Sequence, residues 1–180
     1  VQNGNFNSDV DGWTGWPYNA LVSHVTDHLD SGALKAYLPD NSQYNTFTLH
    51  NPSLFPVQNN AWYRVRCSLQ SNVPGTLLIG MKGQSQFTNP YSIWKRQMPF
   101  DSERRDLEVY FQSNLSDQGQ VEFNPQWTEP MYYLDNVEVT QVTVQPLDPA
   151  ERNKIFVNDQ DSPQEVTLPD GCWRGMEDAF

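Results

Sequence analysis

Leu107-Glu108-Val109-Tyr110-Phe111-Gln112 and, beyond a polar turn at residues 114–119, Gln120-Val121-Glu122-Phe123-Asn124 decide the fold. In both stretches apolar and polar side chains alternate with a period of two. That period places one set against a core and the other in water, as in a half-buried strand. The pattern continues outward in the chain. Leu34, Ala36 and Leu38 alternate with Lys35 and Tyr37, and Tyr63, Val65, Cys67 and Leu69 form another inward row. Residues 131–142 read as a last strand, with Leu134, Val137, Val139 and Val142 interrupted by the polar pair Asp135-Asn136. Pro39-Asp40-Asn41-Ser42 and Asn72-Val73-Pro74-Gly75 are turn clusters between such runs. No amphipathic helix of useful length appears. Many short strands joined by polar turns predict an all-β, antiparallel sandwich or barrel.

Composition narrows the classes of function. The chain has 180 residues, 11 Lys+Arg against 22 Asp+Glu, and a net charge of −11. With 13% aromatic and only 18% charged residues it is unlike a disordered acidic segment. No apolar run approaches the ~20 residues of a membrane helix, and the acidity argues against nucleic acid as partner. A boundary is expected near Gln145-Pro146-Leu147-Asp148-Pro149. Residues 1–145 would form a β-sandwich. Residues 146–180, too few for a core of their own, would be a C-terminal β extension or the truncated start of a second domain, with short strands at 154–157 and 165–168. Cys67 and Cys172 cannot build a disulfide framework, and Cys67 reads as a buried free thiol. Val1 opens the chain without a signal peptide, as in a mature form or an excised piece.

Motifs of catalysis are missing: no GxSxG, HExxH, phosphate loop or GxGxxG occurs. His24 and His28 are spaced i, i+4, but their segment reads as strand and turn, so they are expected to face solvent and not to share a metal. Asp101 with Glu103, or Glu108 with Glu122 across strands, are the carboxylate pairs a glycosidase could use; nothing singles either out. Aromatics stand instead outside the apolar runs, among them Trp16, Tyr44, Tyr91 and Trp94. A sugar ring offers C–H groups to an aromatic plane and hydroxyls to amides and charged groups. Gln120, Glu122 and Asn124 form a polar row suited to such hydroxyls.

Asn3-Gly4-Asn5-Phe6-Asn7 followed by Asp11-Gly12-Trp13, then Asp30-Ser31-Gly32-Ala33-Leu34, Trp62-Tyr63-Arg64-Val65 and Tyr133-Leu134-Asp135-Asn136-Val137, stand in a telling order. Over residues 1–142 they resemble the carbohydrate-binding modules of families four, nine, sixteen and twenty-two. The resemblance implies a β-jelly-roll of two antiparallel sheets with ligand in a groove on the concave one. It implies a structural calcium held by backbone carbonyls of Asn5 and Gly32 and the carboxylate of Asp135, hard oxygens that suit this ion. Asn7 stands where the family often has an acid. It further implies ligand contacts by Trp16, Tyr44, Gln84, Tyr91, Gln120 and Asn124, with Trp13 assigned to packing; the extended Trp94-Lys95-Arg96 beside Tyr91 departs from the family and adds Trp94 as a candidate ring. Glu122 departs from the family, where a small residue is common. The tail at residues 152–174 resembles a piece of the C-terminal β-domains of some glycoside hydrolases.

The expectation is therefore a non-catalytic module of a secreted, extracellular polysaccharide-degrading enzyme, monomeric and tethered to a catalytic domain. Its partner would be a polysaccharide or oligosaccharide, with a neutral glycan favoured over an anionic one. A ligand-free jelly-roll spacer and a small jelly-roll hydrolase or lyase are the alternatives.

Overall fold

The structure is a computed structural model that describes residues 1–16, 21–30, 32–38, 48–51, 53–84, 92–126, 131–145 and 157–167. The chain divides into two compact units, Val1–Val144 and Gln145–Phe180. In the first, the described residues form eleven strands: β1 Thr14–Trp16, β2 Leu21–Val25, β3 Ala33–Tyr37, β4 Thr48–His50, β5 Phe55–Val57, β6 Trp62–Gln70, β7 Gly75–Gly83, β8 Ser92–Phe100, β9 Arg105–Gln112, β10 Asp117–Gln126 and β11 Met131–Val142. Among the described residues there is no helix. One sheet has the order β1-β4-β10-β7-β8, with β5 also paired to β10, and the other β2-β3-β11-β6-β9. Every pairing is antiparallel.

The alternation read from the sequence becomes the core. Val121 and Phe123 of β10 point inward with Leu77, Ile79 and Met81 of β7 and Leu49 of β4. They meet Leu34 and Ala36 of β3, Val65, Cys67 and Leu69 of β6, and Tyr132 and Leu134 of β11 from the other sheet. Trp13 is 5% exposed, edge-on to Phe6 at 5.4 Å between ring centres and 6.0 Å from Phe123. Its indole N–H donates to Asn3 O at 3.0 Å. This ring packs, as the resemblance implied. Cys67 is a buried free thiol, and burial pushes its pKa up to about 12. Pro56 and Pro99 lie in β5 and in the edge strand β8 and face solvent, where a missing N–H costs the ladder least.

The polar interruption of the last strand is a β-bulge. Between Asp135 and Glu138 the register of β11 against β6 shifts, and Asn136 takes a left-handed φ of 53°. The freed Val137 N–H is met by Gly4 O at 2.7 Å. The N-terminal segment is thus strapped onto the closing strand.

Three expectations are corrected here. His24 and His28 are not simply solvent-facing: His24 Nε2 bonds Phe6 O at 2.8 Å, and the His28 ring stacks on Tyr133 with centres 3.6 Å apart. Both partners come from strands or segments distant in sequence, so no local pattern announces them. Glu108 and Glu122 are no pair, because β9 and β10 belong to different sheets and each carboxylate faces outward. In the second unit, residues 157–167 carry no strand and are exposed, so the strand expected from residue 165 is absent through 167. A strand needs a partner, and among these residues the hydrogen bonds are local, such as Asn158 Nδ2 to Ser162 O at 2.9 Å. Residues 154–156 and 168 lie outside the described set.

Candidate functional site

The outer face of the first sheet assembles polar side chains in cross-strand rows. One row runs from Trp16 on β1 to Thr48 on β4, Asn124 on β10, Leu78 on β7 and Gln97 on β8. Trp16 is 54% exposed, the largest ring left open on this face among the described residues. Asn124 Nδ2 donates to Thr48 Oγ1 at 2.9 Å, which orients the amide. The next row is Thr14, His50, Glu122, Gly80 and Lys95. A third joins Gln120 to Lys82. Gln84 continues the outward alternation of β7 at the same end, its backbone N–H donating to Gln118 O at 2.9 Å.

The middle row sets Thr14 and His50, which the sequence did not single out, beside Glu122, which it did. Thr14 Oγ1 and His50 Nε2 are hydrogen-bonded at 3.0 Å. Burial, with a contribution from Lys82, holds the His50 pKa below the ordinary histidine value, so the ring stays neutral. Glu122 lies over Gly80: a Cβ built there would be 3.1 Å from both Cγ and Oε1 of Glu122. The missing side chain of Gly80 is the space the carboxylate occupies. Burial raises the Glu122 pKa, while Lys82 and Lys95 pull it down. Among the described residues its carboxylate makes no hydrogen bond and no ion pair within 4.0 Å. A half-buried acceptor with nothing donating to it is a group poised for a ligand hydroxyl.

Of the residues expected to hold a ligand, the structure brings Trp16, Gln120, Asn124 and Gln84 to one face. Tyr44 and Tyr91 lie outside the described residues; Trp94 is in β8, its backbone paired with Met81, and its side chain lies outside them too. Thr14 and His50 are the additions, in one row with Glu122 and Lys95 and next to Lys82. The period-two reading of β10 already marked Glu122 as outward; its neighbours across the sheet could not be read.

The residues expected to hold calcium also converge by segment. Asp135 is 1% exposed. Its Oδ1 accepts from Asn136 N at 2.7 Å and its Oδ2 lies 3.4 Å from Asn136 Nδ2. Burial pushes its pKa up, and Asp30 adds to this. No cation lies within 4.0 Å among the described residues. Gly32 lies against Phe6, whose carbonyl would be 2.6 Å from a Cβ at Gly32. Asn5 lies between that carbonyl and Gly4, which bonds the bulge. No group of three or more His, Cys, Asp or Glu is present among the described residues. A lone carboxylate would need backbone carbonyls beside it to hold a hard cation, and is too few donors for zinc.

No family profile matches the chain, and no curated protein matches it. Solved structures do. A family 4 carbohydrate-binding module superposes with a TM-score of 0.57 at 16% identity, covering 73% of this chain and 96% of that one. The fold is the jelly roll of carbohydrate-binding modules. The jelly roll recurs in the N-terminal cellulose-binding domain of β-1,4-glucanase C from Cellulomonas fimi, with a TM-score of 0.56 and 18% identity over 81% of this chain and 98% of that one. It recurs again in a family 22 module joined to the catalytic module of a Clostridium thermocellum xylanase, solved with xylohexaose: TM-score 0.61, 11% identity, 81% of this chain and 29% of that one. At such identities the jelly roll is what is shared, and the chemistry rests on the residues of the face itself.

Proposed function

We propose that the chain is a non-catalytic carbohydrate-binding module of a secreted polysaccharide-degrading enzyme, tethered as a monomer to a glycoside hydrolase. The observation that carries this is the outer face of the first sheet, where an exposed Trp16 shares a row with the oriented amide of Asn124, beside the Glu122 carboxylate, which accepts no hydrogen bond among the described residues. A glycan chain lies across that face. Its C–H surface stacks on Trp16, with Tyr44, Tyr91 and Trp94 as further stacking rings, and Gln84, Gln120 and Asn124 address hydroxyls. Glu122 accepts from a pair of neighbouring hydroxyls, which a carboxylate does well because both oxygens are acceptors. An anionic polymer would meet Glu122 unfavourably, so the preferred ligand is neutral. His50 is fixed by Thr14 and supplies the wall beside Glu122.

Affinity electrophoresis against neutral and anionic polysaccharides tests this. Trp16→Ala should weaken retardation by roughly ten- to a hundred-fold in affinity, about 1–3 kcal/mol. Glu122→Gln should weaken it as well. In the parent, binding should decline on acidification at a pH above the ordinary glutamate range, because the raised pKa protonates the acceptor early. Retention of full affinity by Trp16→Ala would remove the face as the binding surface.

We also propose one calcium ion whose role is structural, held by Asp135 with carbonyls of the Asn5 and Gly32 segments. The support is a buried carboxylate with no ion pair within 4.0 Å among the described residues, whose charged form burial disfavours. Such an ion would tie the N-terminal segment to the closing strand and add stability by mass action. Thermal melts with calcium and with chelator should differ by several degrees; superimposable melts, with no metal by elemental analysis, would eliminate the site.

A further inference from the structure

The outer face of the second sheet carries a cleft of about 650 Å³, bounded by the N-terminal residues 3–5 on one side and by β6, β9 and β11 on the other. It exists because of the bulge: the register shift after Asp135 turns Val137 N–H away from β6 to Gly4 O, and the N-terminal strap stands off the sheet beside it. Its volume is within the range of small-ligand sites, roughly 300–1,000 Å³.

The charged side chains around the cleft are largely paired with one another. Arg66 Nε donates to Glu108. Arg104 donates to Asp30 through Nη2 at 3.0 Å and to Asp106 through Nε at 2.9 Å. Glu138 accepts from Thr140 Oγ1 at 2.7 Å and from Arg64 Nη2 at 3.5 Å. A hydroxyl, which both donates and accepts, can use the capacity that these pairs leave open without breaking any of them. What is open suits hydroxyls: the two Nη groups of Arg66 and the side-chain amide of Asn5 have no hydrogen-bond partner among the described residues, and the Glu138 carboxylate keeps acceptor capacity. Tyr110, outside the lining itself, lies two residues beyond the lining Glu108 on the same face of β9, paired across strands with Arg64 and 45% exposed. Its hydroxyl donates to Glu108, which fixes the direction of the ring.

We propose that this cleft is a second saccharide site, on the opposite side of the sandwich from the first and independent of it. It takes a neutral sugar unit whose C–H face rests on Tyr110. Arg66 and Asn5 donate to its hydroxyl oxygens, and Glu138 accepts from its hydroxyls.

The test is an amide chemical-shift titration of the full chain and of Trp16→Ala with neutral hexaoses of β-1,4-linked glucose, xylose and mannose, taken to millimolar concentration. At least one hexaose should move amides in residues 3–5, 64–66 and 108–110, equally in the parent and in Trp16→Ala. Tyr110→Ala should weaken that response about tenfold or more, in line with loss of a stacking ring, and Arg66→Gln several-fold; both residues are exposed, and melts confirm the variants fold. The proposal is overturned if no hexaose moves these amides, if the movement disappears in Trp16→Ala, or if Tyr110→Ala responds like the parent. Movement confined to the first sheet would overturn this site and leave the first face standing; absence of movement on both would overturn both.

Discussion

Phe123→Ala should lower folding stability by about 3–5 kcal/mol, the usual cost of truncating a buried phenylalanine when the cavity cannot collapse. Phe123 is completely buried. It lies in β10, the strand that pairs with β4, β5 and β7, so the backbone around it has little freedom to close the void. Its ring is 6.0 Å from Trp13, which in turn meets Phe6, so the loss also loosens the aromatic cluster beneath β1. Glu122 and Asn124, its immediate neighbours, form the floor of the first face. The expected results are a fall in Tm of roughly 10–15 °C and weaker glycan retardation at temperatures where the variant is still folded. A melt within a few degrees of the parent would mean that the sandwich is packed differently at this point.

Gly4→Ala is the second large effect, and it acts through the backbone. A Cβ at residue 4 would be 2.0 Å from Val137 O and 3.0 Å from Val137 C. Neither is the end of a flexible side chain, so the strap or the bulge must move. Moving either loses the Val137 N–H to Gly4 O bond of 2.7 Å. Overpacking and a lost buried hydrogen bond together amount to about 2–4 kcal/mol. Chemical denaturation should report that loss, and hydrogen exchange should show the Val137 amide losing protection before the centres of β6 and β10. An unchanged denaturation midpoint with Val137 still protected would contradict the strap.

The strands were legible because burial in a two-sheet protein follows the period of two so directly. Val109 and Phe111, or Val121 and Phe123, are inward for the reason the pattern suggests. Even the interruption at Asp135-Asn136 had a local cause, the bulge. What could not be read was adjacency. Thr14, His50, Glu122 and Lys95 share a row because the five strands β1, β4, β10, β7 and β8 pair in that order, and pairing order is a property of topology. Hence Glu122 looked like a departure from a family pattern, although Gly80 opposite makes room for it. β7 and β8 escaped notice because Gly75, Gly80, Gly83 and Pro99 dilute their alternation. The histidines were misjudged for the same reason as the row: their partners, Phe6 O and Tyr133, are remote.

The strap that joins Gly4 to Val137 also constrains how the molecule is made. β3, complete at Tyr37, has β11 as its inner neighbour, and β11 begins at Met131. A ribosome adding about 5–20 residues per second needs roughly 5–20 s to produce the intervening chain. During that interval Leu34 and Ala36 lack the strand that will lie beside them, and β6 lacks the same neighbour on one side. The jelly roll can close only when its last strand emerges, so its folding is dominated by contacts of long sequence separation and belongs to the slow, millisecond-to-second class. Lys35 and the arginines of β6 place charge on the outer faces of these waiting strands, which is the kind of residue that discourages a half-made sheet from pairing with a neighbour on the next ribosome.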